Sequence, residues 1–361
     1  MMAGRMAGTN RGGCEGRSMQ HDETRATSAS EQTHADPERA IARAGTGITT
    51  SLVLGSGGSR GLAHIGVIRC LQDRGYHIHA IAGSSIGALI GGIHAAGKLD
   101  LYIDWVGEMQ RSDVLRLLDL SFGGDALFKG ERIIAALREL IGEHRIESLP
   151  IGFTAVATDL SHASSHREVW FNRGALFDAI RASIAVPTIF APVRLGTRLL
   201  LDGGIVNPVP IGPTLNNLSD VTVAVDLNGR PERIAPAASI APVSASMAGS
   251  MASLYRARLS TFLERWWPVE DPEQSAVTAR LTEDKVGFTD IMMRSMEAMQ
   301  ASITQFRLAA TPPSVLIHIP RNLCGFFDFH RARELIDFGY ERASMAMDAY
   351  EREQRGILRG E

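Results

Sequence analysis

The sequence Gly83-Ser84-Ser85-Ile86-Gly87 matches G-x-S-x-G. Chemistry of this kind needs a sharp strand-to-helix turn that lifts the serine Oγ clear of a sheet, with flanking glycines that let neighbouring backbone pass without a Cβ. A second stretch, Gly55-Ser56-Gly57-Gly58-Ser59-Arg60-Gly61, offers the backbone N–H groups of Gly57 and Gly58 to an oxygen that turns negative in a tetrahedral intermediate. Arg60 adds positive potential to that loop. The third piece is Asp202, followed by Gly203-Gly204. A carboxylate can take the Ser85 proton if burial raises its pKa toward neutrality. Each piece alone has a plainer reading: a Gly-Ser turn, a helix-entry turn, a turn-capping aspartate. A dinucleotide fingerprint is excluded, because its last glycine is replaced by Arg60 and residues 76–80 supply no carboxylate.

The elements that must position these groups are legible in the hydrophobic pattern. Residues 48–54 (ITTSLVL) are β-branched and apolar, and they run into the glycine loop. Residues 61–74 carry helical periodicity closed by Gly75; 77–82 alternate as a second strand; 86–96 read as a small-residue helix closed by Gly97. Strand, helix, strand, helix with tight joints means a βαβ unit and a mainly parallel sheet wrapped by helices, an α/β fold. That order brings the glycine loop and Ser85 to one end of the sheet. Asp202 is expected there too, at the end of a further parallel strand over 198–201. More strands are expected at 152–158, 220–226 and 314–319, and helices at 127–141, 175–185, 254–267, 290–308 and 329–350.

Together, the glycine loop, Gly83-Ser84-Ser85-Ile86-Gly87 and Asp202-Gly203-Gly204 resemble the patatin-like phospholipase family. Ala157-Thr158-Asp159-Leu160, Arg181-Ala182-Ser183-Ile184 with Pro187, and Asn207-Pro208-Val209-Pro210 are also similar to that family's core, over about 52–227. Segments 113–120 and 328–332 are similar to its short bacterial RssA-like branch. The resemblance implies a three-layer α/β/α fold and hydrolysis of lipid acyl esters through a Ser–Asp dyad, without metal or organic cofactor. It makes Ser85 the nucleophile, Asp202 the base and Gly57 and Gly58 the oxyanion donors. Arg60, Gly61, Gly83, Gly87, Gly203 and Gly204 support them. One departure stands out: Ser56 occupies the first glycine of the family's G-G-G-x-R/K-G loop, which bears on rate more than on identity.

Bulk properties fit this picture. The chain has 361 residues, 45% hydrophobic, enough for one large domain with additions. A net charge of −3 supplies no field to recruit nucleic acid or anionic membrane. Three cysteines, far apart at Cys14, Cys70 and Cys324, form neither a disulfide framework nor a metal cluster, which suits a reducing cytoplasm. No apolar run approaches the roughly 20 residues of a membrane span, and the N-terminal stretch has no apolar h-region, so a secretory signal is not expected. Residues 1–47 lack any hydrophobic period and read as a disordered extension. We expect a catalytic domain over 48–229 and a helical cap and C-terminal region over 230–361.

A Ser–Asp–His triad is the competing catalytic arrangement. Its candidates, His318 and His330, read better as a core histidine and as a helix-start residue; His64 reads as core beside the loop. Two helices are candidates for lipid contact. One is 254–267, with aromatic and basic residues; the other carries a stripe of Met292, Met296, Met299, Ile303 and Phe306 suited to an acyl groove. For both, core packing is the simpler reading. A low-activity acyl-lipid-binding protein and an acyltransferase remain alternatives, and oligomeric state is not legible.

Overall fold

The computed structural model describes residues 47–119, 121, 126–161, 166–233 and 288–359. Residues 1–46 of the expected extension and the expected 254–267 helix lie outside them. The expected βαβ unit is present. Strand β1 (Thr49–Leu54) passes through a 3-10 turn at Gly58–Leu62 into helix α1 (Ala63–Asp73); β2 (His77–Ser84) leads directly into α2 (Ile86–Ala95). Then come α3 (Leu99–Gly107), α4 (Arg111–Leu117), β3 (Ala126–Phe128), α5 (Glu131–Ile141) and β4 (Gly152–Asp159). They are followed by β5 (Arg167–Phe171), α6 (Leu176–Ser183), β6 (Thr188–Phe190), β7 (Val193–Leu195), β8 (Arg198–Asp202) and β9 (Val221–Gly229). Past residue 287 the chain forms α7 (Phe288–Ala310), β10 (Val315–Pro320) and α8 (Ala332–Arg359).

An eight-stranded sheet runs in the order β10-β9-β1-β2-β4-β8-β7, with β5 also paired to β4. The pairs β1–β2, β1–β9, β9–β10 and β2–β4 are parallel. The sheet thus draws strands from both sides of residue 229. Its central strands are covered on both faces, which is why β1 and β9 read as near-continuous apolar runs rather than alternating ones. Helix α2 packs on β2 and β4, α6 on β4 and β8, and α8 on β10 and α1.

One expectation is corrected. Strand β8 is antiparallel to β4, so Asp202 does not end a parallel strand. A strand has two edges, and β4 has three partners. β2 pairs with Gly152 to Val156 and β5 with Ala155 to Asp159, so they overlap and must take opposite edges. β8 pairs with Ala157 to Asp159, overlapping β5, so it shares the edge used by β2. Along that edge β2 runs up to Ser84, opposite Val156, and β8 runs down to Asp202, opposite Ala157. The two strands meet head-on. Their register, rather than a common parallel direction, brings Ser85 and Asp202 together.

Candidate active site

Ser85 is the residue between β2 and α2, with φ 57° and ψ −125°. A positive φ costs a non-glycine residue of order 1–3 kcal/mol and persists only where surrounding structure enforces it. Here the enforcement is tight packing of the turn. A Cβ on Gly83 would lie 2.4 Å from the Gly87 carbonyl carbon, and one on Gly87 would lie 2.0 Å from the Leu54 carbonyl oxygen. The turn is thus pressed against the end of β1. The Ser85 amide donates to Ser183 Oγ at 2.9 Å, and Ser183 Oγ donates to the Val156 carbonyl at 2.6 Å. Ser85 also caps α2, whose N-terminal end carries partial positive charge.

Ser85 Oγ donates to Asp202 Oδ2 in a very short hydrogen bond, and Asp202 Oδ1 accepts from the Gly204 amide at 2.7 Å. The Asp202 backbone is fixed by its amide to the Ala185 carbonyl (2.9 Å) and by Thr158 Oγ1 donating to its carbonyl (2.8 Å). Asp202 is 1% exposed. Burial pushes its carboxyl up from 3.8 to about 7, against the opposing pull of the bonds from Ser85 and Gly204. At neutral pH it is thus divided between acid and base forms.

The glycine loop lies beside this pair. Gly57, Gly58, Arg60, Ser85 and Asp202 line one small recess. The Gly57 and Gly58 amides donate to no protein acceptor among the described residues, whereas Ser56 N donates to the Pro208 carbonyl at 2.8 Å. Gly58 has φ 61°, and a Cβ there would strike the Phe326 ring at 2.6 Å. Gly61 faces Ile86, Gly203 passes Ser84 and Val156, and Gly204 sits among Ser56, Gln300 and Asp202. The Ser56 hydroxyl donates to Gln300 Oε1 at 3.4 Å.

Histidines contribute less directly. His64 is fully buried, and desolvation lowers its pKa to about 4, so it is neutral. Its Nε2 lies 2.9 Å from the Gly55 carbonyl, an acceptor only, which assigns the proton to Nε2 and ties α1 to the loop. His318 is not a core residue as its strand context implied: its side chain is 53% exposed and pairs with Asp226 at 3.2 Å. His330 is exposed. Among the described residues, no histidine lines the recess or the apolar cavity that touch Ser85.

A family profile described as patatin-like phospholipase matches residues 52–215. An uncharacterised NTE family protein of Mycobacterium tuberculosis is 39% identical over 335 residues, covering 83% of this chain and 92% of that one. The chain belongs to the patatin-like phospholipase family. Its homologues in that family are esterases, and the chain is a hydrolase of carboxylic esters. Patatin-like phospholipase domain-containing protein 7 of Rattus norvegicus is 32% identical over 206 residues, 55% of this chain and 15% of that one. Neuropathy target esterase sws of Drosophila melanogaster is 32% identical over 204 residues, 55% of this chain and 14% of its own.

The protein carries an apolar cavity opening at Ser85. Its volume is about 70 Å³, and it is walled by side chains such as Leu89, Tyr102, Trp105, Val106, Leu137 and Ile184. These walls come from α2, α3, α5 and the turn after α6. The expected acyl stripe on α7 is therefore displaced: Met292, Met299 and Phe306 are exposed, and only Met296 of that set faces the catalytic recess. The inward face of α7 is instead Met293, Met296, Glu297 and Gln300. Sequence reasoning missed Ser183, Glu297, Gln300 and Phe326 as neighbours of the site. For Ser183 a signal existed, since it sits in Arg181-Ala182-Ser183-Ile184; for Glu297 and Gln300 the helical apolar stripe pointed to the wrong face. Among the described residues no cluster could hold a metal ion, and no helix is long and apolar enough to cross a membrane.

Proposed function

We propose that the protein hydrolyses lipid acyl esters, phospholipase or lysophospholipase in type, through a Ser85–Asp202 dyad. The observation that carries this reading is the buried hydrogen bond from Ser85 Oγ to Asp202 Oδ2. Asp202 takes the Ser85 proton as Oγ bonds to the ester carbonyl carbon. The Gly57 and Gly58 amides receive the oxyanion, and collapse expels the alcohol with the proton held by Asp202. Water then loses its proton to Asp202 and attacks the acyl-serine; collapse breaks the bond to Ser85 Oγ, which takes the proton back from Asp202, and the fatty acid is released. The acyl chain lies in the apolar cavity, whose walls offer nothing to a charged group. Relatives called neuropathy target esterase support the lipid-ester assignment.

Catalytic chemistry belongs on this reading to 48–229, with α7 of the C-terminal region acting as a cap over the recess and β10 joining the catalytic sheet. The protein works from the cytoplasm, in peripheral contact with the membranes that hold its substrate. Labelling with a fluorophosphonate, mapped by mass spectrometry, tests the nucleophile alongside p-nitrophenyl esters of graded chain length. The expected adduct is on Ser85, with preference for long chains. Turnover surviving Ser85→Ala, or an adduct elsewhere, overturns the reading.

A further inference from the structure

The oxyanion loop is held from outside the 52–215 segment that the family profile matches. Arg60 follows the two proposed donors by two residues, and its side chain is 3% exposed. It donates through Nη2 to Glu297 Oε1 on α7 at 2.9 Å and through Nη1 to the Arg321 carbonyl at 3.1 Å; its Nε has no partner. One turn along α7, Gln300 is 5% exposed and receives the Ser56 hydroxyl. Ser59 completes the attachment, its amide donating to the Phe326 carbonyl (3.0 Å) and its hydroxyl to the Gly325 carbonyl (2.7 Å).

We propose that Glu297 and Gln300 are positioning residues for the oxyanion loop: α7 grips the loop at Arg60 and Ser56, on either side of Gly57 and Gly58, and so aims their amides. The physical case rests on burial. A guanidinium withdrawn from water must keep its countercharge, because removing one partner of a buried pair leaves an uncompensated charge that drags its segment toward solvent. Here that segment is two residues from the donors. Ser56, which departs from the family's glycine, gains a function on this account, since only a side chain there reaches Gln300. Because small misplacements at a reacting centre cost large factors in rate, the grip acts on kcat rather than on substrate binding. The proposal rests on the reading of Gly57 and Gly58 as oxyanion donors.

The test is a mutant cycle on the full chain, read with a long-chain p-nitrophenyl ester, fluorophosphonate labelling rate and thermal melting. Glu297→Met is expected to lower kcat about 10- to 100-fold, part of the range for losing an oxyanion donor, with KM within about twofold. Glu297→Gln, which keeps an acceptor, recovers most of that loss. Arg60→Met and the Arg60→Met/Glu297→Met double variant should have equal kcat, since Glu297 acts only through Arg60. Gln300→Leu gives a smaller kcat loss, and Met299→Ala, on the solvent face of α7, gives none. If the Glu297 variants keep wild-type kcat while Ser85→Ala is inactive, the positioning role is wrong and the dyad stands. If Glu297→Met lowers the melting temperature but leaves kcat and labelling unchanged, the contact is structural only and the proposal fails. If Ser85→Ala stays active, it is the underlying dyad reading that fails.

Discussion

Replacing Asp202 by Asn should abolish turnover and stabilise the fold, with a pH dependence that can be worked out beforehand. Burial raises the carboxyl from 3.8 to about 7, a shift of about three units. At about 1.4 kcal/mol per unit, holding the ionised form costs the folded chain about 4 kcal/mol. Below pH 3.8 the group is protonated in both folded and unfolded chains and contributes nothing. Between 3.8 and about 7 the folded chain keeps a proton that the unfolded chain has lost, so stability falls as pH rises. Above about 7 the full cost is in place. Asn keeps an oxygen for the Gly204 amide but cannot ionise. Urea unfolding of both proteins, followed by circular dichroism from about pH 4.5 to about pH 8, isolates this residue, because other titrating groups cancel in the difference. The stability difference, variant minus wild type, should climb by about 1.4 kcal/mol per unit and level off near pH 7. A difference that stays flat, or one that shrinks with rising pH, would refute the claim that desolvation of Asp202 sets its pKa.

Further outcomes follow from the same geometry. Since the ionised carboxylate is the proposed base, kcat/KM of the wild type should fall tenfold per unit below about pH 7 and plateau above, measured with an uncharged ester. Gly87→Ala would press a methyl against the Leu54 carbonyl, so soluble yield and labelling of Ser85 should both collapse. Ser183→Ala leaves the Ser85 amide without its partner; a loss of about 1–3 kcal/mol in urea unfolding is expected, with a lower kcat. Val106→Trp fills part of the apolar cavity, and hydrolysis of a long-chain ester should drop at least about tenfold more than that of a butyrate ester.

Much of this was legible in the chain because local rules agreed. The βαβ unit at 48–96 combines apolar strands, helical periodicity and glycine stops, and it folded within a residue or two of expectation at most boundaries. Asp202 was found for an incomplete reason. Its neighbour glycines and preceding leucines marked a strand end, but strand direction depends on pairing with β4, which no local pattern encodes. The short strands β3, β6 and β7 each span three residues, too few to show a period. On α7, Met292, Met299 and Phe306 face solvent, while Glu297 and Gln300 turn inward beside Met293 and Met296, where they meet the polar groups of Arg60 and Ser56. Periodicity identifies a helix; it does not say which face meets a polar loop.

The head-on meeting of β2 and β8 also separates two kinds of change. Ser85 and Asp202 are 117 positions apart in the chain, yet each is pinned next to consecutive residues of one strand, Val156 and Ala157. The intervening chain includes α3 and α5, which build the walls of the apolar cavity. Lengthening or repacking those helices alters the shape offered to a substrate while the spacing of the reacting pair stays fixed by β4. Substrate preference in this scaffold can therefore drift by remodelling a detour, without renegotiating the chemistry at its two ends.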